Sequence, residues 1–271
     1  MKKRILTAVI LLPIIIVFLF VLPKICTAIL AALIAAVAAY ELLWGTGLAK
    51  HLRLVIYSGV MAAFTVLFFH FQLSYVVALL TVLAFTGLLY MEMMISHGKL
   101  AFQKIGLCYV AGIIVPFFFG SLVRILDMEL GRCLIATPFV CCFLSDAGAY
   151  FCGRFFGKHK MSPIISPNKT IEGAVGGVVI AIVGMFIYAL ILDLICGLQV
   201  NYWLCPAYGL LGAGASILGD LFFSAVKRQT GIKDYGKIIP GHGGMMDRLD
   251  SLTLVSPLME ALLLLIPFAV K

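Results

Sequence analysis

The sequence predicts an all-α, polytopic integral membrane protein of about nine transmembrane helices with two long cytoplasmic loops. Three observations carry this. The chain of 271 residues is 63% hydrophobic and 12% charged, whereas a soluble domain is about half apolar and about a quarter charged. Its mean hydropathy is +1.14, and a soluble fold of this size lacks the core to bury so much apolar surface. Finally, the apolar residues are grouped into runs long enough to cross a bilayer. A helix rising about 1.5 Å per residue needs roughly 20 residues to cross about 30 Å of hydrocarbon.

Nine runs reach that length: Ile5–Leu22, Ile25–Trp44, Leu54–Phe71, Leu73–Ile95, Ile105–Leu126, Cys133–Cys152, Ile171–Cys196, Tyr202–Val226 and Leu249–Val270. Backbone polar groups in lipid are satisfied only inside the segment, so each run is read as a helix. The runs are too long and too continuously apolar for outer-membrane barrel strands. The opening MKKRILTAVILLPIIIVFLF resembles a signal peptide, but its apolar stretch is longer than usual and no A-x-A site follows. It is therefore read as a retained first helix.

On a nine-helix map, 16 of the 20 basic residues fall on one side: Lys2, Lys3, Arg4, Lys50, Arg53, Lys99, Lys104, Arg154, Lys158, Lys160, Lys169, Lys227, Arg228, Lys233, Lys237 and Arg248. Lys24, Arg124, Arg132 and Lys271 lie toward the other. The excess predicts a cytoplasmic N-terminus. The net charge of +8 is concentrated on that face, where it suits anionic lipid headgroups and phosphates. Nucleic acid is not expected as a partner, because no basic domain projects from the membrane. The eight cysteines show no CxxC or Cys/His ligand spacing and read as small buried apolar residues.

Two regions follow. Residues 1–132 are N-terminal transmembrane helices with short connections. Residues 133–271 form a C-terminal transmembrane region expected to carry an active site on its cytoplasmic side. This second region holds two polar loops, Gly153–Thr170 and Lys227–Arg248, each longer than the roughly 12–15 residues beyond which loops are usually functional or disordered. Beside them stand acids at membrane depth: Asp146, Glu172, Asp220, Asp247 and Asp250. Ionisable groups there are expensive and mark function by default. Glu41, Glu92 and Asp193 sit toward segment ends and are given a structural reading.

The chemistry-bearing stretches have distinct spacings. In LGDLFFSAVKR, Asp220, Ser224 and Lys227 lie at i, i+4 and i+7, on one helical face. In MMDRLDS, Asp247 and Asp250 lie at i, i+3 near a helix start, where acids are also favoured by the dipole alone. Neither Asp220 nor Asp247 has an evident private partner in the sequence. With Asp250 they form an all-oxygen set suited to Mg²⁺. PGHGG, 240 to 244, is a turn whose consecutive N–H groups form an anion-binding nest, ringed by Lys233, Lys237 and Arg248. His242 is read equally as a phosphate donor and as a structural residue. In SPNKTIEG, Ser166, Lys169 and Thr170 precede a helix start and suit a phosphate, with Thr170 as an ordinary cap as the plainer reading. Gly173, Gly176, Gly177, Gly209, Gly212, Gly214 and Gly219 read as close helix packing.

The run SAVKRQTGIKDYGKIIPGHGGMMDRLD, 224 to 250, resembles the signature of the phosphatidate cytidylyltransferase (CDP-diacylglycerol synthase) family. The matching positions are Ser224, Lys227, Arg228, Lys233, Asp234, Gly236, Pro240, His242, Gly243, Gly244, Asp247, Arg248 and Asp250. SPNKTIEG and SDAGAY resemble two further blocks of that family. The resemblance implies a Mg²⁺-dependent nucleotidyltransferase that condenses CTP with phosphatidic acid to CDP-diacylglycerol and pyrophosphate in phospholipid biosynthesis. It also implies a homodimer in a membrane, here expected to be the bacterial inner membrane. By the same resemblance, Asp220 and Asp247 hold the metal, and Asp250 and Lys169 complete the catalytic set. Ser166, Lys227, Arg228, Lys233, Asp234, His242, Gly243, Gly244 and Arg248 bind substrate. A second, monovalent cation beside Mg²⁺ is left open. The rival readings are a CTP-using lipid or polyprenol kinase and a transporter. The transporter is disfavoured because the polar residues cluster at one face and in one half of the chain.

Overall fold

The computed structural model describes residues 13–97, 100–238 and 243–271. The chain is an all-α polytopic membrane protein. Seven helices among the described residues are long and apolar enough to cross a membrane. They are α1 (Lys24–Gly45), α2 (Leu52–His70), α3 (Tyr75–Ile95), α4 (Phe102–Asp127), α5 (Gly131–Phe156), α6 (Ile171–Leu194) and α7 (Tyr202–Gln229). Two shorter helices follow, α8 (Met246–Leu249) and α9 (Leu252–Leu265).

Of the nine expected spans, seven are met among the described residues. The first run lies partly outside them, at residues 5–12, and its described part includes a π-helical turn, Val17–Val21. The last run forms only the 14 residues of α9, with Pro257 inside it. Such a helix is about 21 Å long and falls short of the hydrocarbon thickness. Beyond it, β4 (Ala269–Val270) pairs antiparallel with β3 (Gln199–Val200). The buried Phe268 packs on Tyr208 with ring centroids 4.9 Å apart. Pairing and aromatic packing tie the end of the run to the connection before α7.

The chain divides into two compact units: Met1–Arg124 with Thr230–Arg248, and Ile125–Gln229 with Leu249–Lys271. The glycine-rich segment after α7 thus belongs to the first unit, although it follows the second unit's helices in sequence.

In the first unit, α1 buries an alanine face: Ala28, Ala31, Ala32, Ala35, Ala38 and Ala39. Small side chains let the α1 backbone approach α2 closely, the usual device where lipid supplies no hydrophobic drive between helices. α1 ends in a π-helical turn, Glu41–Gly45. Thr65 on α2 donates to the Gly112 carbonyl at 3.1 Å, in the π-helical part of α4. Arg53 and Glu92 join α2 to α3 at 3.1 Å.

In the second unit, α5, α6 and α7 pack through glycines. A Cβ on Gly177 would stand 2.7 Å from the Ser145 carbonyl. One on Gly209 would stand 2.6 Å from the Ile182 Cα, and one on Gly219 2.6 Å from the Asp250 carbonyl. The close-packing reading of the glycines therefore holds at these positions. Gly214 differs, with nothing within 4 Å of its Cβ position.

These two glycines of α7 make a contrast. Gly209→Ala forces α6 and α7 apart and is expected to lower stability by about 1–3 kcal/mol. Gly214→Ala is expected to be neutral, or to stabilise by up to about 1 kcal/mol through helix propensity. Thermal unfolding of the two purified variants in detergent measures the difference; equal effects would contradict this packing.

Candidate active site

In the second unit the site is built on α5, α7 and a hairpin between α5 and α6. β1 (Lys160–Ser162) and β2 (Ser166–Thr170) pair antiparallel, with Lys160 opposite Thr170 and Ser162 opposite Ser166. The hairpin is anchored at both ends. Thr170 caps α6 by accepting from the Gly173 N–H at 3.1 Å, and the Ile171 N–H donates to the His159 carbonyl at 2.9 Å. Glu172 accepts from the Lys158 and His159 N–H groups and meets the His159 ring at 2.6 Å. Arg228, at the end of α7, donates to the Ile165 carbonyl at 3.1 Å.

This anchoring sets Lys169, on β2, against Asp220 of α7, Nζ to Oδ2 at 2.5 Å. Ser224, one turn on, donates to Asp220 Oδ1 at 3.0 Å. One turn before, Ser216 donates to Asp146 of α5 at 3.3 Å. Asp250 lies between α8 and α9, outside the seven spans, and accepts from the Ser251 N–H at 2.8 Å. Burial pushes its carboxyl up to about 7. The negative charge of Asp220 pushes the same way, while Lys227 opposes. Asp146 also bears on it. Asp146, Asp220 and Asp250 are thus gathered with the ammonium groups of Lys169 and Lys227.

In the first unit the glycine-rich segment folds around two carboxylates. Asp247, buried at the start of α8, accepts from the Tyr235 N–H at 2.8 Å and the Gly244 N–H at 2.9 Å through Oδ2. Glu41, fully buried at the end of α1, accepts from Met245 N–H at 3.0 Å and from Met246 N–H at 2.7 Å. Gly243 sits at φ +85°, in the left-handed region.

The placement of the expected residues is uneven. Asp220, Ser224 and Lys227 share the α7 face as their spacing predicts, and Lys169 joins them. Ser166 is half-buried on the same strand as Lys169. Lys233, Asp234 and Arg248 are exposed, Gly244 is buried, and His242 lies outside the described residues. One expectation needs correction. Asp220 does have a partner, Lys169, supplied by the hairpin far away in sequence. Asp247 is held by two N–H groups. The nest expected at residues 240 to 244 lies mostly outside the described residues; beside it, the N–H groups of residues 244 to 246 are taken by Asp247 and Glu41 of the chain itself. Glu41, given a structural reading near a segment end, is fully buried and ties the end of α1 to residues 245 and 246, contacts the sequence did not show. The signal available was an acid closing an apolar run, where an apolar residue would have been cheaper.

Among the described residues no three Asp, Glu, His or Cys side chains converge as a metal cage. Mg²⁺ needs less: one or two carboxylates, completed by water and substrate phosphate oxygens. The hydroxyl-flanked Asp220, with Asp250 near it, is a hard oxygen donor set of that kind.

Residues 2–266 match the Cytidylyltransferase family. A Bacillus subtilis protein named phosphatidate cytidylyltransferase is 34% identical over 98% of each chain. Proteins of that name from Staphylococcus epidermidis and Staphylococcus haemolyticus are also similar. The first is 37% identical over 63% of each chain, and the second 34% over 69% of this chain and 70% of its own. The matched region thus spans somewhat under two thirds of the Staphylococcus epidermidis relative and nearly all of the Bacillus subtilis one.

The Asp250 environment predicts a pH dependence. Its folded pKa of about 7 lies above the unfolded value of about 3.9. The protonated form therefore favours the fold, and this contribution is lost as pH rises from about 4 through about 7. Melting temperatures of metal-free protein should fall over that window, and Asp250→Asn should flatten the fall. An unchanged slope in the variant would remove Asp250 from this role.

Proposed function

We propose, starting from the fact that the chain belongs to the cytidylyltransferase family, that it is a phosphatidate cytidylyltransferase. In this reading it transfers the cytidylyl group of CTP to phosphatidic acid, giving CDP-diacylglycerol and pyrophosphate. The observation that carries this is the family match over residues 2–266 together with 34% identity over 98% of the chain to the Bacillus subtilis protein of that name.

The chemistry fits the residues. An oxygen of the lipid phosphate attacks the α-phosphorus of CTP, the bond to the β-phosphate oxygen breaks, and pyrophosphate leaves. The phosphate is already a nucleophile, so no strong general base is required. What the protein must supply is in-line positioning and positive charge for the leaving group. Lys169, Lys227, Arg228, Lys233 and Arg248 are proposed to supply the charge, with Ser166 and His242 as hydrogen-bond donors to phosphate. Asp234, Gly243 and Gly244 then shape the loop that carries them.

Mg²⁺ is the proposed cofactor, with Asp220 as a ligand and Asp250 supporting it; Asp247 is the other carboxylate assigned to the metal by the family resemblance. When bound, Mg²⁺ would neutralise phosphate charge and make the α-phosphorus more electrophilic. The Lys169–Asp220 contact supports a second task for Lys169: holding the Asp220 carboxylate in place while no cation is there. We further propose that the protein sits in the bacterial inner membrane as a homodimer, with its N-terminus and both long polar segments in the cytoplasm.

Purified protein given base-labelled CTP, phosphatidic acid and Mg²⁺ should form base-labelled lipid and pyrophosphate. Transfer of only the γ-phosphate would favour the lipid-kinase reading and overturn this one. Lys169→Ala should lower kcat/KM by about 100-fold or more, equivalent to a few kcal/mol. Lys50→Ala, in an exposed connection of the first unit, should cost little. Asp220→Asn should abolish transfer, and Asp193→Asn, whose carboxylate meets Tyr202 OH at 2.7 Å, should leave it near wild type.

A further inference from the structure

We infer that Glu41 is a positioning residue for the proposed cytidylyl transfer: its buried carboxylate takes the Met245 and Met246 N–H groups at the end of the glycine-rich segment and thereby sets Asp247 and Arg248. The inference rests on the transferase reading above for the reaction, and on the first unit's own geometry for the clamp.

Three consecutive N–H groups, of residues 244 to 246, each meet a carboxylate. Gly244 donates to Asp247 Oδ2 at 2.9 Å, Met245 to Glu41 Oε1 at 3.0 Å and Met246 to Glu41 Oε2 at 2.7 Å. Glu41 uses one oxygen per donor, so its whole carboxylate is committed. It is 0% exposed, and an acid so placed is tolerated only when its oxygens are met.

The segment is also shaped to receive it. A Cβ on Gly244 would stand 2.5 Å from both Glu41 carboxylate oxygens, and one on Gly236 would collide with Oε1. On the helix side, a Cβ on Gly45 would collide with the Tyr235 carbonyl. Residues 236 and 244 thus lie on either side of one carboxylate, and Tyr235 is at once beside Gly45 and bonded to Asp247 at 2.8 Å. Charge alone would not demand this arrangement; the fit of Gly236 and Gly244 against one carboxylate, and of Gly45 against the Tyr235 carbonyl, does. Asp247 is the next residue after Met246, so movement of the Met246 N–H moves it directly.

The effect on reaction is expected to appear in kcat more than in KM for CTP, because Glu41 orders the loop and has no proposed contact with substrate. Glu41→Gln keeps the size and one acceptor but presents an NH₂ to a donor. Losing one charged hydrogen bond of this kind should lower kcat by about tenfold to a hundredfold.

The test reads the loop and the reaction separately in purified protein. Trypsin cleavage after Lys233 and Lys237, both exposed, reports the loop without any substrate. Cleavage should quicken by about fivefold or more in Glu41→Ala, and less in Glu41→Gln, as local opening becomes easier. Unfolding temperature should stay close to wild type. Gly244→Ala should imitate Glu41→Ala, and the double variant should be little worse than either single one, since both break one contact. Wild-type cleavage rates in Glu41→Ala would overturn the clamp. Wild-type kcat in Glu41→Gln would overturn the positioning role, as would a loss of activity that only follows a loss of folded protein. If the wild-type chain makes no CDP-lipid, the transferase reading fails, and cleavage alone decides the clamp.

Discussion

A carboxylate that leaves water must be met by something, and the polar architecture of this chain is a set of answers to that demand. Glu92 is met by Arg53 and Tyr57 across α2 and α3. Asp220 is met by an ammonium and a hydroxyl, Asp146 by Ser216, Asp247 by two backbone donors and Glu41 by two more. Each answer draws on an element distant in sequence or on a loop that cannot be helical. The polar runs between apolar helices therefore have two tasks. In the proposed reaction they offer charge to phosphates, and they supply the groups that make buried acids tolerable.

Much of the fold was legible because membrane spanning is a local property. Seven long apolar runs are seven long helices, and no tertiary knowledge was needed to see them. The ninth run shows the limit. Its hydropathy matches the others, but Phe268 and the β3–β4 pairing hold its end near the connection before α7, and a helix of 14 residues remains. Hydropathy records what a segment tolerates and carries no information about a two-residue strand that captures its end.

The candidate site divides in the same way. Asp220 and Ser224 were legible as a pair, since four residues is one helical turn. The Thr170 cap was legible for a similar reason. Lys169 as the Asp220 partner was not, because a hairpin register and two anchors decide it. Glu41 was the least legible of all: its donors lie 204 and 205 positions away. The nest expected at residues 240 to 244 lies mostly outside the described residues, and the N–H groups just beyond it are held by carboxylates of the same chain, which the sequence did not reveal.

The π-helical turn that ends α1 gives the first unit a length requirement. Glu41 and Gly45 bracket that turn, and both face the glycine-rich segment, one offering oxygens and the other the absence of a side chain. In a π-helical turn, as in any helix, each residue rotates those that follow it about the axis. An insertion or deletion between them would swing Gly45 out of phase with Glu41 and turn a bulkier neighbour onto the Tyr235 carbonyl. Leu42, Leu43 and Trp44 could drift in identity among similar residues while their number stayed at three. Natural variation in this corner would then be free in composition and frozen in count.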